Sequence, residues 1–143
     1  MNPLFTIDPG SSTGWAYFRT GTLSMCGLTK DPQEIRFLPE FKVVIEKPVI
    51  YRPRLMKGDP NDLIVLALLA GRYQERALND KATVELVTPH EWKGSVSKEI
   101  SNRRVLKKLK SEELAVLNAV KCAESARHNV IDAIGIALWK LGR

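Results

Sequence analysis

Leu4-Phe5-Thr6-Ile7-Asp8-Pro9-Gly10 is the stretch on which the reading of this chain turns. A short apolar run of strand character meets an acid, and Asp-Pro-Gly then stops it in a turn. A carboxylate at the end of a buried strand is costly unless it is paired or bound to a cation. Just downstream, Gly14-Trp15-Ala16-Tyr17-Phe18 and residues 22–28 read as two further strands joined through Arg19-Thr20-Gly21, a hairpin or meander. Val43-Val44-Ile45 is a continuous β-branched run, the pattern of a central strand covered on both faces. It also ends on an acid, Glu46, and Pro48 cannot continue a central ladder.

The second half of the chain alternates differently. Residues 47–60 hold Pro48, Pro53, Gly58 and Pro60 and read as a loop. Asn61 or Asp62 is placed to cap a helix over 61–78, with apolar residues at 63, 66, 67, 69, 70 and 73. Thr83–Val87 reads as a strand, and Thr88-Pro89-His90-Glu91 as a capping box opening a short helix. A basic helix follows over 98–109, and Ser111-Glu112-Glu113 opens another, its acids favouring the helix dipole. The last helix is expected over 128–141, burying Ile131, Ile134, Leu138 and Leu141, with Asp132 in its first turn or two. Gly71 and Gly135 read as points where helices approach their neighbours. This order predicts an α/β fold: a mixed sheet with an antiparallel meander followed by parallel crossover strands, flanked by helices.

The chain has 143 residues, 44% of them hydrophobic and 27% charged, which is the size and composition of one globular domain over residues 1–143. The longest apolar candidate, residues 63–70, is far short of the ~20 residues a membrane span needs, so no membrane is expected as a partner. The N-terminus shows no basic and apolar export pattern. Cys26 and Cys122 lie far apart with no CxxC, which argues against zinc and for reduced thiols in a cytoplasmic setting. The formal net charge is +6. Residues 1–87 carry net +1 and residues 88–143 net +5, so the excess sits in the C-terminal half. Such a basic half suits a polyanion such as nucleic acid, or else is a solvated basic face.

Asp8, Glu46 and Asp132 each follow or interrupt an apolar run. Brought together, three carboxylates form a hard, oxygen-rich site suited to Mg²⁺ or Mn²⁺. Paired metals activate a water and stabilise the leaving oxygen in phosphodiester cleavage. Taken singly, Asp8 also reads as turn chemistry, Glu46 as a salt bridge to Lys47 or Lys42, and Asp132 as a helix cap.

Taken in order, Thr6-Ile7-Asp8-Pro9-Gly10 with Gly14, Val43-Val44-Ile45-Glu46, Thr88-Pro89-His90-Glu91-Trp92-Lys93 and Asp132-Ala133-Ile134-Gly135-Ile136-Ala137 resemble the RuvC-like Holliday junction resolvases, nucleases of the RNase H-like fold. The resemblance spans nearly the whole chain. It implies a homodimer that nicks four-way DNA junctions in symmetric pairs, with Asp8, Glu46 and Asp132 as metal ligands for two Mg²⁺ ions, Mn²⁺ substituting. The family's fourth acid, or in some members a histidine, falls at Asn129, with His128 beside it. On a helix both share a face with Asp132, so His128 or Asn129 completes the site, His128 as ligand or base.

Lys47, Arg52, Arg54 and Lys57 surround Tyr51, a pattern for phosphate contact with stacking on an unpaired base, or else a solvated loop. Lys93 and Lys98 match family lysines that approach DNA near the active site. Arg103, Arg104, Lys107, Lys108 and Lys110 extend a basic stretch whose apolar side is Val105, Leu106 and Leu109. The helix over 61–78 has more apolar surface than one sheet contact needs, and Leu63, Leu66, Ala67 and Ala70 are candidate dimer residues or else core. Two other functions fit parts of the pattern. One is an RNase H-like nuclease acting on RNA or another branched nucleic acid; the other is a non-catalytic DNA-binding module, against which the three acids argue.

Overall fold

A computed structural model describes residues 1–50 and 58–143 of the chain. Strands β1 (Leu4–Asp8), β2 (Thr13–Arg19) and β3 (Thr22–Thr29) form the antiparallel meander. Strands β4 (Lys42–Glu46) and β5 (Thr83–Val87) add in parallel on the other side of β1. The order β3-β2-β1-β4-β5 sets the two acid-ended strands side by side. Thr20 and Gly21 have φ of 48° and 79°, the pair of positive angles that a two-residue hairpin turn needs to match strand twist.

Among the described residues, five α-helices complete the fold: α1 (Pro60–Asn79), α2 (Pro89–Lys93), α3 (Lys98–Lys108), α4 (Ser111–Asn118) and α5 (Glu124–Lys140). The pleat sorts the side chains. Phe5, Ile7, Val43 and Ile45 pack with Ala70, Tyr73 and Ala77 of α1. Leu4, Val44, Ala16 and Phe18 pack with α5 on the opposite face. Residues 130–138 of α5 are all buried, because this helix is covered by the sheet on one side and by α2 and α3 on the other.

Two glycines set how closely α5 lies. A Cβ at Gly14 of β2 would stand 2.0 Å from the Asn129 carbonyl oxygen, so strand backbone meets helix backbone directly. A Cβ at Gly135 would stand 2.5 Å from the Trp92 ring and 2.9 Å from Val105, as the close packing read from the sequence requires. Gly71 differs from its expected packing role: it is exposed and nothing lies near it.

The structure corrects several other expectations. Helix α5 begins at Glu124, four residues before the expected start, which places Asp132 in its buried middle. Its first turn is anchored by Arg127, whose guanidinium donates to the Leu117 and Val120 carbonyls, and apolar periodicity is silent about such a turn. Leu141 lies past the helix end and is half-buried. The α1 cap is Asp59 rather than Asn61 or Asp62: its carboxylate accepts from the Asn61 amide at 2.9 Å, and Pro60 takes the first helical position. Of the residues read as a dimer face, Ala70 is buried in the core and Leu63 and Leu66 are half-buried. The outward apolar residues of α1 are Ile64, Val65 and Leu68, 57–68% exposed. Among the described residues, no helix is long and apolar enough to cross a membrane.

Away from the sheet centre, one buried acid ties the C-terminal helices together. Glu113 accepts from the Leu23 and Lys110 amides at 3.0 and 2.9 Å and from Arg143 at 2.7 and 2.9 Å. These donors, the Arg143 guanidinium foremost, hold its carboxyl at about 2 against an ordinary value of 4.5. A depressed folded-state pKa adds stability that is complete above about 4.5 and is lost as pH falls towards about 2. Glu113→Gln is expected to lower unfolding free energy at pH 7 by about 3 kcal/mol, as breaking a buried pair does. The variant should also lose less stability than the parent between pH 4.5 and 2, measured by urea unfolding across that range.

Candidate active site

The side-chain period of a strand decides which acids can meet. Asp8 lies two residues beyond Thr6, and Glu46 two beyond Val44, so both point to the α5 face of the sheet. In the parallel register Thr6 pairs Val44 and Ile7 pairs Ile45, which brings the two strand ends level. Helix α5 crosses that end, held where the Thr6 hydroxyl donates to the Ala133 carbonyl at 2.6 Å. Asp132 is the residue before that carbonyl. The three acids from distant parts of the chain therefore face one small volume.

The surroundings are dry and short of countercharge. Asp8 and Asp132 are 8% and 6% exposed, and Glu46 is half-buried. None of the three forms an ion pair with a described residue. The salt bridge read for Glu46 with Lys47 or Lys42 is not made: Lys42 stands at the other end of β4 and pairs with Glu85 at 3.4 Å, and Lys47 is in no ion pair among the described residues. Glu46 instead accepts from the Trp92 indole N–H at 2.5 Å. The turn after β1 is closed by Thr13 on Gly10, at 3.1 and 3.2 Å, which leaves the Asp8 carboxyl to the cluster. Asp132 is neither a cap nor fully satisfied: its Oδ1 is buried without a hydrogen-bond partner among the described residues.

Burial raises the Asp8 carboxyl well above the usual range, and the charges of Glu46 and Asp132 raise it further. Burial also raises Glu46 and Asp132, partly offset by the Trp92 hydrogen bond and Lys93 for Glu46, and by Lys93 and Lys98 for Asp132. Lys93 and Lys98 thus sit close enough to act on the cluster electrostatically without pairing with it. His128 is lowered by burial and by Lys98, so at neutral pH it is the uncharged imidazole, able to accept a proton or a metal. Asn129 donates its side-chain amide to the Ser12 carbonyl at 2.7 Å, which fixes it against the β1–β2 turn and leaves its oxygen as the atom free to ligate.

The donor set is the one hard divalent cations take: carboxylate oxygens, one of them orphaned and buried, with a neutral imidazole at the margin. Its residues fit such an ion in chemistry. As positioned, no set of three His, Cys, Asp or Glu side chains among the described residues is gathered closely enough to hold one, so ligation requires side-chain rotation, Glu46 being turned to Trp92.

Arg103, Arg104 and Lys107 are exposed on α3, beside Lys98 at its start, while Lys93 closes α2 and lies half-buried. Tyr51, Arg52, Arg54 and Lys57 lie outside the described residues. Three residues with a clear part in this geometry carried no role in the sequence reading: Thr6, Gly14 and Trp92. For Trp92 a signal existed, since a buried indole N–H seeks an acceptor. For the other two, only the position of α5 reveals the need.

No protein-family model matches the chain, and no curated protein matches it in sequence. Solved structures do. Thermus thermophilus RuvC in complex with a Holliday junction substrate superposes with a TM-score of 0.61 at 18% identity, over 97% of this chain and 92% of that one. A second structure of Thermus thermophilus RuvC gives a TM-score of 0.51 at 19% identity, over 96% of this chain and 92% of that one. The chain therefore has the mixed-sheet, RNase H-like fold of those structures.

Clustered carboxylates with raised folded-state pKa values make the fold less stable as pH rises through the ordinary carboxylate range near 3.8. Asp8→Asn removes one such charge. In chelator at pH 7 the variant should melt at a higher temperature than the parent, with the gap closing below pH 3.8. An unchanged or lower melting temperature at pH 7 would show that the cluster is not strained by its own charge.

Proposed function

We propose that the chain is a metal-dependent endonuclease that cuts branched DNA, four-way junctions above all, as a homodimer making paired nicks. The observation that carries this reading is that Asp8, Glu46 and Asp132, largely buried, face one end of an RNase H-like sheet close enough to act on one another's charge. Likeness to RuvC bound to a Holliday junction supports the substrate. The basic excess of residues 88–143 supports a polyanion.

Asp8, Glu46 and Asp132 would hold Mg²⁺, or Mn²⁺ in its place, with His128 or the Asn129 oxygen completing the set. When bound, the metal supplies an activated water and neutralises charge on the leaving oxygen. The chain's own groups do the rest. Trp92 orients Glu46 through its indole N–H, as supporting residues orient ligating carboxylates elsewhere. Burial keeps bulk water from competing and strengthens every charge interaction inside the pocket. Lys93 and Lys98 attract the phosphate backbone without neutralising the carboxylates. His128, uncharged at neutral pH, is available to take a proton from water.

A four-way junction presents symmetry-related strands, whereas one carboxylate cluster attacks one phosphate at a time; a two-fold dimer supplies two clusters. Ile64, Val65 and Leu68 on the outer side of α1 offer an apolar strip for that contact.

Cleavage of synthetic four-way junction, fork, linear duplex and RNA–DNA hybrid, with and without Mg²⁺, tests the reading. Asp8→Asn and Asp132→Asn should each lose more than about 100-fold in rate, beyond what supporting residues cost, and keep junction binding; Trp92→Phe should lose about 10- to 100-fold. Preference for the hybrid would move the substrate to RNA, and cleavage by Asp8→Asn at the parent rate would sink the metal site. Sedimentation should give twice 16.1 kDa for the parent and about half that mass for Leu68→Asp, with paired nicking lost.

A further inference from the structure

A cavity of about 250 Å³ opens among α2, α3 and α5, and it shares the Trp92 indole and Lys93 with the carboxylate cluster. No acid lines it, but Lys93, Arg104, Lys108 and Arg143 do. Two of these cations are already committed. Arg143 is locked on Glu113 at 2.7 and 2.9 Å, and the Lys108 amine donates to the Arg143 carbonyl at 3.0 Å. Lys93 and Arg104 have no acidic partner among the described residues. The remaining wall is mostly apolar and aromatic, with Val105, Leu138 and the buried Ser101, and with Trp139, 37% exposed, whose ring has the Lys140 amine 5.6 Å from its centre.

This combination suits a group that is flat on one side and anionic on the other. An indole takes a nucleobase by stacking whatever its identity, and a guanidinium takes a phosphate by paired hydrogen bonds. Size narrows the choice. Pockets that enclose a whole small ligand run to about 300–1,000 Å³, so this cavity fits a single unit of a chain that continues outside.

We propose that the cavity receives one unstacked nucleotide of the substrate strand beside the cut, its base against Trp139 and its phosphate between Arg104 and Lys93. The proposal rests on the nucleic-acid reading of the carboxylate site. It adds to that reading a separate stacking site, reached across Trp92. A branch point is where such a nucleotide is most readily unstacked.

The test steps a single 2-aminopurine through a four-way junction and through a single-stranded oligonucleotide, in chelator, and follows its fluorescence and the binding affinity. One position, or two adjacent ones, should be quenched on binding. Trp139→Ala should abolish that quench and weaken binding by about 5- to 150-fold, the worth of one base–aromatic stack, while Trp139→Phe restores both. Arg104→Ala should weaken binding with the quenched position unchanged. Both side chains lie exposed on helices, and circular dichroism melting checks that the variants fold. Quenching that is absent or survives Trp139→Ala overturns the proposal, as does free dTMP binding as tightly as the oligonucleotide. The two readings fail separately. A protein that shows Trp139-dependent quenching yet cuts no branched DNA keeps the cavity and loses the resolvase, whereas one that cuts junctions without such quenching does the reverse.

Discussion

The arrangement depends on a contact made by a missing side chain. At Gly14, β2 meets the backbone of α5 with no room for a Cβ. Two hydrogen bonds flank that contact: the Thr6 hydroxyl of β1 donates to the Ala133 carbonyl of α5, and the Asn129 side chain of α5 donates to the Ser12 carbonyl of the β1–β2 turn. The three contacts fix both the height of α5 above the sheet and its rotation. Were the helix a few ångströms higher, Asp132 would face water, and Asp8 and Glu46 would be an ordinary strained pair.

That seating produces a conflict the fold tolerates. Three carboxyls of one sign are held in a largely buried space, where desolvation raises all three and like charges raise Asp8 and Glu46 further. A sequence selected for stability alone would place apolar residues there, as it does at Ile7, Ile45 and Ile134 nearby. Glu113 shows the contrast: it is fully buried too, but meets a guanidinium and two amides, and its pKa falls. Glu113 is satisfied by the chain, whereas Asp132 keeps a buried oxygen with no hydrogen-bond partner among the described residues.

Much of this was legible in the residues because period and position coincide. The runs ending at Asp8 and Glu46 announced both the strands and the acids, and alternation fixed which face the acids take. The meander, the parallel strands and the helices on both faces followed from the same runs and the turns between them. What stayed hidden depends on packing between elements distant in sequence. The first turn of α5 has no apolar period to reveal it, so Asp132 was read as near a helix start when it is at the middle. The inward and outward faces of α1 are both apolar, so the pattern left Ala70 open between a dimer face and the core, where it lies. Gly71 and Gly135 are indistinguishable as letters, yet one lies in open space and the other against an indole.

The odd–even division of the central strands has a further consequence for how the molecule can change. Phe5, Ile7, Val43 and Ile45 pack on the α1 side, Phe5 also against Phe37 and Phe41, while Leu4, Thr6, Val44 and the two acids lie on the α5 side, Glu46 also bonded to Trp92 of α2. The sheet acts as a partition between two compartments that share a backbone but few side-chain neighbours. Substitutions on the α1 side can be compensated there without disturbing the carboxylates, since distant sites with no common partners behave additively. The α1 side and the acid-bearing side are thus written on alternate letters of the same strands, and each can be revised while the other is left standing.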